Sequence, residues 1–225
     1  MKNIEVKRYR KDNFNLWNNL VAHSKNATFL FHRDFMDYHK EQFEDHSIMV
    51  FEENVLKAIF PAHAVNENVY SHNGLTYGGL IVSDQIRTTD YILYFKKILQ
   101  YYHQQSLDSL FWKEIPSFYC STFSDEWKYL SFVCNAFLYR RDLCSVVDLK
   151  GDFRISKSIK RDAALGKRNC DGVVKSTDYH RFWNEVLTPE MEEKYHTNII
   201  CLKYFLSAKN FLTTFIYTPC TKKKN

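Results

Sequence analysis

The chain has 225 residues, a hydrophobic fraction of 45%, a charged fraction of 25% and a formal net charge of +5. This balance is that of a globular protein and excludes an intrinsically disordered chain. No window approaches the roughly 20 consecutive apolar residues of a membrane span. Residues 1–7 lack the apolar stretch of a signal peptide. We therefore expect a soluble cytoplasmic protein.

The charge is unevenly distributed. Residues 1–150 carry 17 basic and 18 acidic side chains, whereas residues 151–225 carry 14 and 8. The basic excess therefore lies in the C-terminal third, and it is too small to indicate a dedicated nucleic-acid-binding protein. The six cysteines form no C-x-x-C pair, which indicates free, mostly buried thiols.

Hydrophobic periodicity and turn residues predict ten elements in a first domain, residues 1–150. In chain order they are a strand at 4–9, a helix capped by Asp12, a helix at 33–43, strands at 47–51, 55–65 and 69–71, a helix at 89–105, a strand at 107–115, a helix capped by Ser124 and a strand at 138–149. This order predicts an α/β fold with a mixed sheet that has helices on both faces.

A second unit is predicted to begin after a linker at 151–154. It starts with a basic helix at 156–168, a strand at 172–175 and a helix at 178–194. The tail, 198–225, contains no acidic residue and five lysines, and we do not expect it to pack like the rest. The basic helix has two interpretations: contact with an RNA backbone, or an ordinary solvated face.

The glycine cluster at 71–80 is the most informative stretch for function. Glycines allow positive φ and let a ligand approach the backbone closely. A loop of this kind between a strand and a helix could hold an anionic group, but it matches neither dinucleotide nor P-loop spacing. A ligand loop and a structural crossover loop therefore remain equally open. Lys113, at the end of a predicted strand, is either a partner for an anion or a solvated lysine.

Classical metal and hydrolase sites are not predicted. His32, His39 and His46 recur every seven residues, which is too far apart to share a zinc ion without a further ligand. We interpret them as solvated surface histidines. No G-x-S-x-G motif surrounds a serine, and no H-E-x-x-H motif is present.

Several stretches together resemble a group of GNAT-like proteins of Bacteroidetes-type bacteria that are related to the Fem-type peptidyltransferases. The resemblance extends over residues 1–197 and is most distinctive at Leu-Thr-Tyr-Gly-Gly. The residues that carry it are 28–39, 61–63, 70–79, Lys113, Ile115, Pro116, Phe182 and Trp183. The order of predicted strands and helices is also that of the GNAT acyltransferase fold.

The resemblance implies an N-acyltransferase built from two GNAT-like halves. Such an enzyme transfers an acyl or aminoacyl group to an amine, with acetyl-CoA, another acyl-CoA or a charged tRNA as donor. An amino sugar or a peptide amine, in the synthesis of a cell-surface polymer, would be the acceptor. The substrate-binding residues that we expect from the glycine cluster and the strand end are Tyr77, Gly78, Gly79 and Lys113, acting as backbone amides and one cation that face an anionic ligand. No catalytic base is indicated, and no metal is expected.

The sequence departs from the family pattern at the donor loop and in the second half. In two-half relatives the donor site belongs mainly to the second half, and no [RQ]-x-x-G-x-[GA] motif occurs in this chain. The second unit, 151–197, stops after its first helix, strand and helix. We therefore expect an incomplete second GNAT-like half, with 198–225 as an out-of-frame tail and an exposed half-interface that favours self-association. The alternatives are a non-catalytic GNAT-fold remnant or binding module, and an RNA-contacting module.

Overall fold

The computed structural model describes residues 2–37, 41–143, 145, 147–148, 150–151, 154–169, 174–175, 178–195 and 216–217. The chain divides into two compact units, Met1–Phe137 and Leu138–Asn225. The first unit is a mixed α/β structure, as the sequence predicts. No helix among the described residues is long and apolar enough to cross a membrane.

The described residues of unit 1 form two four-stranded sheets and four α-helices. Its strands are β1 (Ile4–Arg8), β2 (Glu44–Asp45), β3 (Ile48–Glu52), β4 (Val55–Phe60), β5 (His63–Val65), β6 (Asn68–Tyr70), β7 (Ile81–Val82) and β8 (Ser109–Phe111). Its helices are α1 (Phe14–Ala22), α2 (Arg33–Met36), α3 (Thr88–Gln104) and α4 (Glu126–Val133). The first sheet has the order β1-β3-β4-β7 and is antiparallel, while the second has the order β2-β5-β6-β8.

Successive side chains along the strands of the first sheet point to opposite faces, so each face carries its own hydrophobic layer. Val50 pairs with Ala58, and Ala58 pairs with Val82; these side chains belong to one core cluster, which includes Ile98 of α3. The neighbouring positions, such as Ile59, join a second cluster with residues of α1. Helices therefore pack on both faces of this sheet, as predicted.

The predicted strand at 55–65 is two strands in the structure, because Ser47 interrupts the ladder. The Ser47 hydroxyl accepts a hydrogen bond from the Ala62 amide at 3.0 Å and donates one to the Ala62 carbonyl at 3.2 Å. Pro61 has no N–H to offer to a ladder. The chain consequently leaves the first sheet after Phe60 and enters the second sheet at His63.

The predicted helix at 33–43 ends at Met36 among the described residues. The Arg33 guanidinium is buried between the rings of Tyr9 and Trp17, 3.5 and 4.0 Å from their centroids, and its Nη1 lies 2.6 Å from Asp45 Oδ2. Seven more helical residues would move the chain roughly 10 Å further along the axis. The ion pair with Asp45 therefore requires the chain to turn back early.

The N-terminal cap and the strand before α4 also differ from the prediction. Asp12 lies in a 3₁₀ turn, Lys11–Asn13, and makes no capping bond to α1. The predicted strand at 107–115 is confined to β8, since beyond Phe111 the chain binds a side chain rather than a neighbouring strand. Cys120 and Cys134 are free; the first is half-buried and the second exposed, so neither is a buried core thiol.

Unit 2 has α5 (Lys157–Asn169), β9 (Val174–Lys175), α6 (Tyr179–Phe182), a π-helical turn (Trp183–Leu187), α7 (Thr188–Tyr195) and β10 (Ile216–Tyr217). Asp178 caps α6 by accepting a hydrogen bond from the Arg181 amide at 3.1 Å. β9 and β10 pair antiparallel, so two tail residues do form a strand pair.

The strand predicted at 138–149 is wrong for the described residues of that range. Residues 138–143, 145 and 147–148 form no strand. Leu143 is 97% exposed and Val147 59% exposed. A strand requires a neighbour for its backbone groups, and no strand pairs with these described residues. Cys144 and the remaining cysteines lie outside the described residues.

Replacement of Ser47 by Ala should destabilise unit 1 by about 1–3 kcal/mol, because the buried Ala62 amide would lose its only acceptor. Chemical denaturation followed by tryptophan fluorescence measures this change. Ser117→Ala, at an exposed position, is the matched control and should stay within about 0.5 kcal/mol of the parent. A stable Ser47→Ala variant would show that the hydroxyl does not hold the junction between the sheets.

Candidate functional site

The glycine loop, defined here as Ser71–Leu80, is held by hydrogen bonds to Lys113, which lies just after β8 in the chain. The Lys113 amide donates to Ser71 Oγ at 2.8 Å, and the Gly78 amide donates to the Lys113 carbonyl at 3.0 Å. The Lys113 ammonium donates to the Leu75 carbonyl at 3.0 Å. The loop thus lies where the parallel strands β6 and β8 end.

Two backbone features explain the glycines in this loop. A Cβ atom at Gly78 would lie 2.3 Å from the Ser71 carbonyl oxygen, a distance that no side chain can adopt. Gly79 has φ of +110°, a conformation that L-residues rarely adopt. The pair therefore allows the loop to fold back on its own start and to meet Lys113.

The structure brings all four predicted site residues together. Tyr77 is buried, its hydroxyl donates to Thr28 Oγ1 at 3.0 Å, and its ring contacts Phe31. Burial raises the pKa of the Tyr77 phenol. The Gly78 amide and the Lys113 ammonium both bind carbonyls of the protein. Their expected role toward an anionic ligand stays a prediction.

An apolar pocket lies beside the glycine loop. Gly78 and Gly79 form part of its wall, whereas Tyr77 and Lys113 do not. Its cavity of about 20 Å³ has the volume of one or two water-sized groups. The pocket is lined mainly by apolar side chains, five of them aromatic, with a few polar groups. The lining residues include Tyr91, Phe95, Trp112, Trp127, Glu114 and Ser124.

An ion pair stands close to this pocket. Glu126 binds the buried Lys25 ammonium and accepts a hydrogen bond from Ser124 at 2.7 Å. Burial by itself would raise the pKa of Glu126, but the hydrogen bonds from Lys25 and Ser124 outweigh burial and lower it. Burial raises the pKa of the Cys120 thiol, so this pocket cysteine is not an activated nucleophile.

A buried histidine cluster adjoins the start of the loop, and no catalytic motif in the sequence indicates it. His63 is completely buried; its ring stacks on Tyr70 and contacts Phe43 and His72 at centroid distances of 5.3, 4.5 and 5.6 Å. The Asn73 amide donates to His63 Nδ1 at 3.3 Å. Its Nε2 has no hydrogen-bond partner in the described part of the chain. The one sequence signal was an inward-facing histidine in a strand.

Desolvation lowers the pKa of His63 from 6.5 to about 4, with smaller contributions from Lys113 and His46. The ring is therefore neutral at pH 7. Because Nδ1 accepts a hydrogen bond, the single proton of the neutral His63 ring lies on Nε2. The buried side chain is therefore a hydrogen-bond donor and not a base.

The histidines expected on the surface are partly buried. His32 and His46 are both of intermediate exposure, and burial lowers the pKa of His32. His39 lies outside the described residues. Among the described residues, no group of three or more histidine, cysteine or acidic side chains could hold a metal ion.

No protein-family model and no curated protein matches the chain. Among solved structures, the chain is similar to aminoglycoside N-acetyltransferase AAC(6')-Iy in complex with CoA, with a TM-score of 0.39 and 11% sequence identity. The similarity covers 66% of this chain and 97% of that one. A TM-score at this level does not establish a shared fold.

Replacement of Gly78 by Ala should destabilise unit 1 by about 1–3 kcal/mol, because the added methyl group forces the loop away from Ser71. Gly166→Ala is the matched control, since nothing lies within 4 Å of its Cβ position in an exposed helix. That substitution should stabilise α5 by about 0.5–1 kcal/mol. Thermal melts of both variants measure the contrast, and equal melting temperatures would contradict the close approach at Gly78.

The stability of unit 1 should fall as the pH decreases from about 6.5 to about 4. In this window the unfolded chain binds a proton at His63 that the folded protein does not, so protonation favours unfolding. His63→Asn keeps an acceptor for the Asn73 amide and should flatten this pH dependence. Urea titrations at several pH values measure it. A His103→Asn control at an exposed position should keep the slope of the parent, and an unchanged slope in His63→Asn would overturn the assignment.

Proposed function

We propose that the chain is a GNAT-like N-acyltransferase in which unit 1 binds the amine acceptor. The observation that carries this proposal is the position of the glycine loop. It closes the end of the parallel β6–β8 pair, whose crossover is α3, and it forms one wall of an aromatic pocket. This arrangement agrees with the GNAT-like order of elements.

The pocket suits the head of an amine. Aromatic faces attract cations, and here Trp112 and Trp127 line the same small cavity as Glu114, an exposed acidic residue. A cavity of about 20 Å³ accepts an ammonium-sized group but not a sugar ring or an acyl chain. In this proposal Gly78 and Gly79 shape the acceptor site, and Tyr77 and Lys113 position the loop.

The N-terminus of α3 does not suit the pyrophosphate of an acyl-CoA donor. A pyrophosphate at a helix N-terminus needs free amides and a permissive loop. The loop before α3, residues 83–87, contains no glycine. The Asp90 carboxylate lies in the first turn of α3, and the Asp90 amide donates to the Arg87 carbonyl. We therefore assign no donor site in unit 1 and derive no catalytic step through the donor.

A non-catalytic binding module is the second candidate. It is favoured because the Gly78 amide and the Lys113 ammonium already donate hydrogen bonds to carbonyl groups of the protein, not to a ligand. A module of this kind would bind the amine and transfer nothing. The two candidates therefore share an acceptor site and differ in turnover.

Binding of amines should be measured first, by isothermal titration of the full chain with an amino sugar, an alanyl peptide and a lysyl peptide. Glu114→Gln should weaken binding about tenfold, which corresponds to about 1.4 kcal/mol. Glu53→Gln, a carboxamide change in the β3–β4 turn, is the matched control and should leave the affinity unchanged. Equal affinities for Glu114→Gln and the parent would overturn the acceptor site.

Turnover separates the two candidates. The same amines are incubated with acetyl-CoA, or with an aminoacyl-tRNA, and products are identified by mass spectrometry. An N-acylated amine formed by the parent and reduced in Glu114→Gln supports the acyltransferase. Amine binding without product from either donor would establish the binding module instead.

A further inference from the structure

A group of closely spaced cations lies on α5. All of its residues, Lys157–Asn169, are exposed. It carries five cations and a single carboxylate, Asp162, which lies 3.4 Å from Arg161. The acyl-transfer proposal uses none of these residues, so this surface needs its own explanation.

The cations of α5 occupy one face. At 100° per residue they fall within an arc of about 120°, with only the small Ala164 between them. This basic face consists of Lys157, Lys160, Arg161, Lys167 and Arg168. It extends about 16 Å along the helix axis.

Three of the five apolar residues of α5 lie away from the basic face. Ile159, Ala163 and Gly166 lie together on an arc whose centre is about 140° from that of the basic face, whereas Leu165 lies about 40° beyond Arg161 at its edge. On the polar face of an ordinary solvent-exposed helix, positive and negative side chains alternate. Here the sign is uniform, which creates a local positive potential.

We propose that the basic face of α5 binds the phosphate backbone of RNA. Five lysine and arginine side chains in a row match a series of phosphates, and their binding is driven by counterion release. The face carries no aromatic side chain for base stacking, so recognition is of the backbone and independent of base sequence. A narrow face on one helix fits a single flexible strand better than a rigid duplex.

The test is a salt titration with the full chain. Binding to a fluorescein-labelled single-stranded RNA of mixed sequence is measured by anisotropy over a range of KCl concentrations. Each phosphate contact contributes about −0.7 to the slope of log K against log salt. Lys160→Gln/Arg161→Gln removes two cations and should make the slope about 1.4 less steep. Glutamine preserves helix propensity, and circular dichroism verifies that the variant keeps its helix content.

Two control variants separate the basic face from net charge and from the tail. Lys11→Gln/Lys96→Gln removes the same charge from exposed positions of unit 1 and should keep the slope of the parent. Lys222→Gln/Lys223→Gln/Lys224→Gln removes the lysine run of the tail and should also keep it. A loss of slope in either control equal to that in the α5 variant would overturn the assignment, as would unchanged binding by the α5 variant.

The nature of the ligand is tested with a second arm. A duplex DNA of equal length is titrated under the same conditions, and weaker binding than to the single-stranded RNA is expected. Tighter binding to the duplex would overturn the assignment to RNA and would identify DNA as the ligand. None of these readouts depends on acyl transfer.

Discussion

The close approach of Gly78 to Ser71 is the constraint on which the centre of unit 1 depends. Because no side chain is present at Gly78, the chain can return to its own loop start and donate to the Lys113 carbonyl. Lys113 in turn binds Ser71 and Leu75. A single backbone contact therefore joins the end of β6, the glycine loop and the segment after β8. The same contact fixes the part of the pocket wall that the loop forms. A substitution that moves the loop would therefore also change the shape of the pocket.

The polar groups around this loop divide into those that hold the structure and those that face the pocket. The buried His63 imidazole is neutral and offers a proton rather than a lone pair, because its Nδ1 already accepts from Asn73. The Lys25–Glu126 pair and Ser124 satisfy one another. Glu114 lines the pocket together with Trp112 and Trp127. The proposed acceptor site would therefore take a small cation, whereas the sequence motif led us to expect an anion at the same loop.

Elements dominated by local periodicity were predictable from the sequence: β1, α1, α3, α4 and α5 are found where their patterns indicate. Three of the errors involve a partner distant in the chain. The Ser47 hydroxyl divides one predicted strand, the buried Arg33 pair ends one predicted helix, and Ser71 replaces a backbone partner beyond β8. The candidate site shows the same division between local and distant features. Glycine spacing identified the loop, but the indole and carboxylate groups of the pocket come from residues 112–127, whose proximity to the loop depends on the parallel pairing of β6 and β8.

The basic face of α5 places like charges close together in the free protein. Lys157 lies three and four residues before Lys160 and Arg161, and like charges at these spacings destabilise a helix by about 0.2–0.5 kcal/mol per pair. A 13-residue helix is only marginally stable by itself in water. A polyanion would remove this repulsion and supply counter-charges along the whole face, so binding and helix stability are thermodynamically coupled. The same sequence feature that weakens α5 in isolation would therefore stabilise it in the proposed complex with RNA.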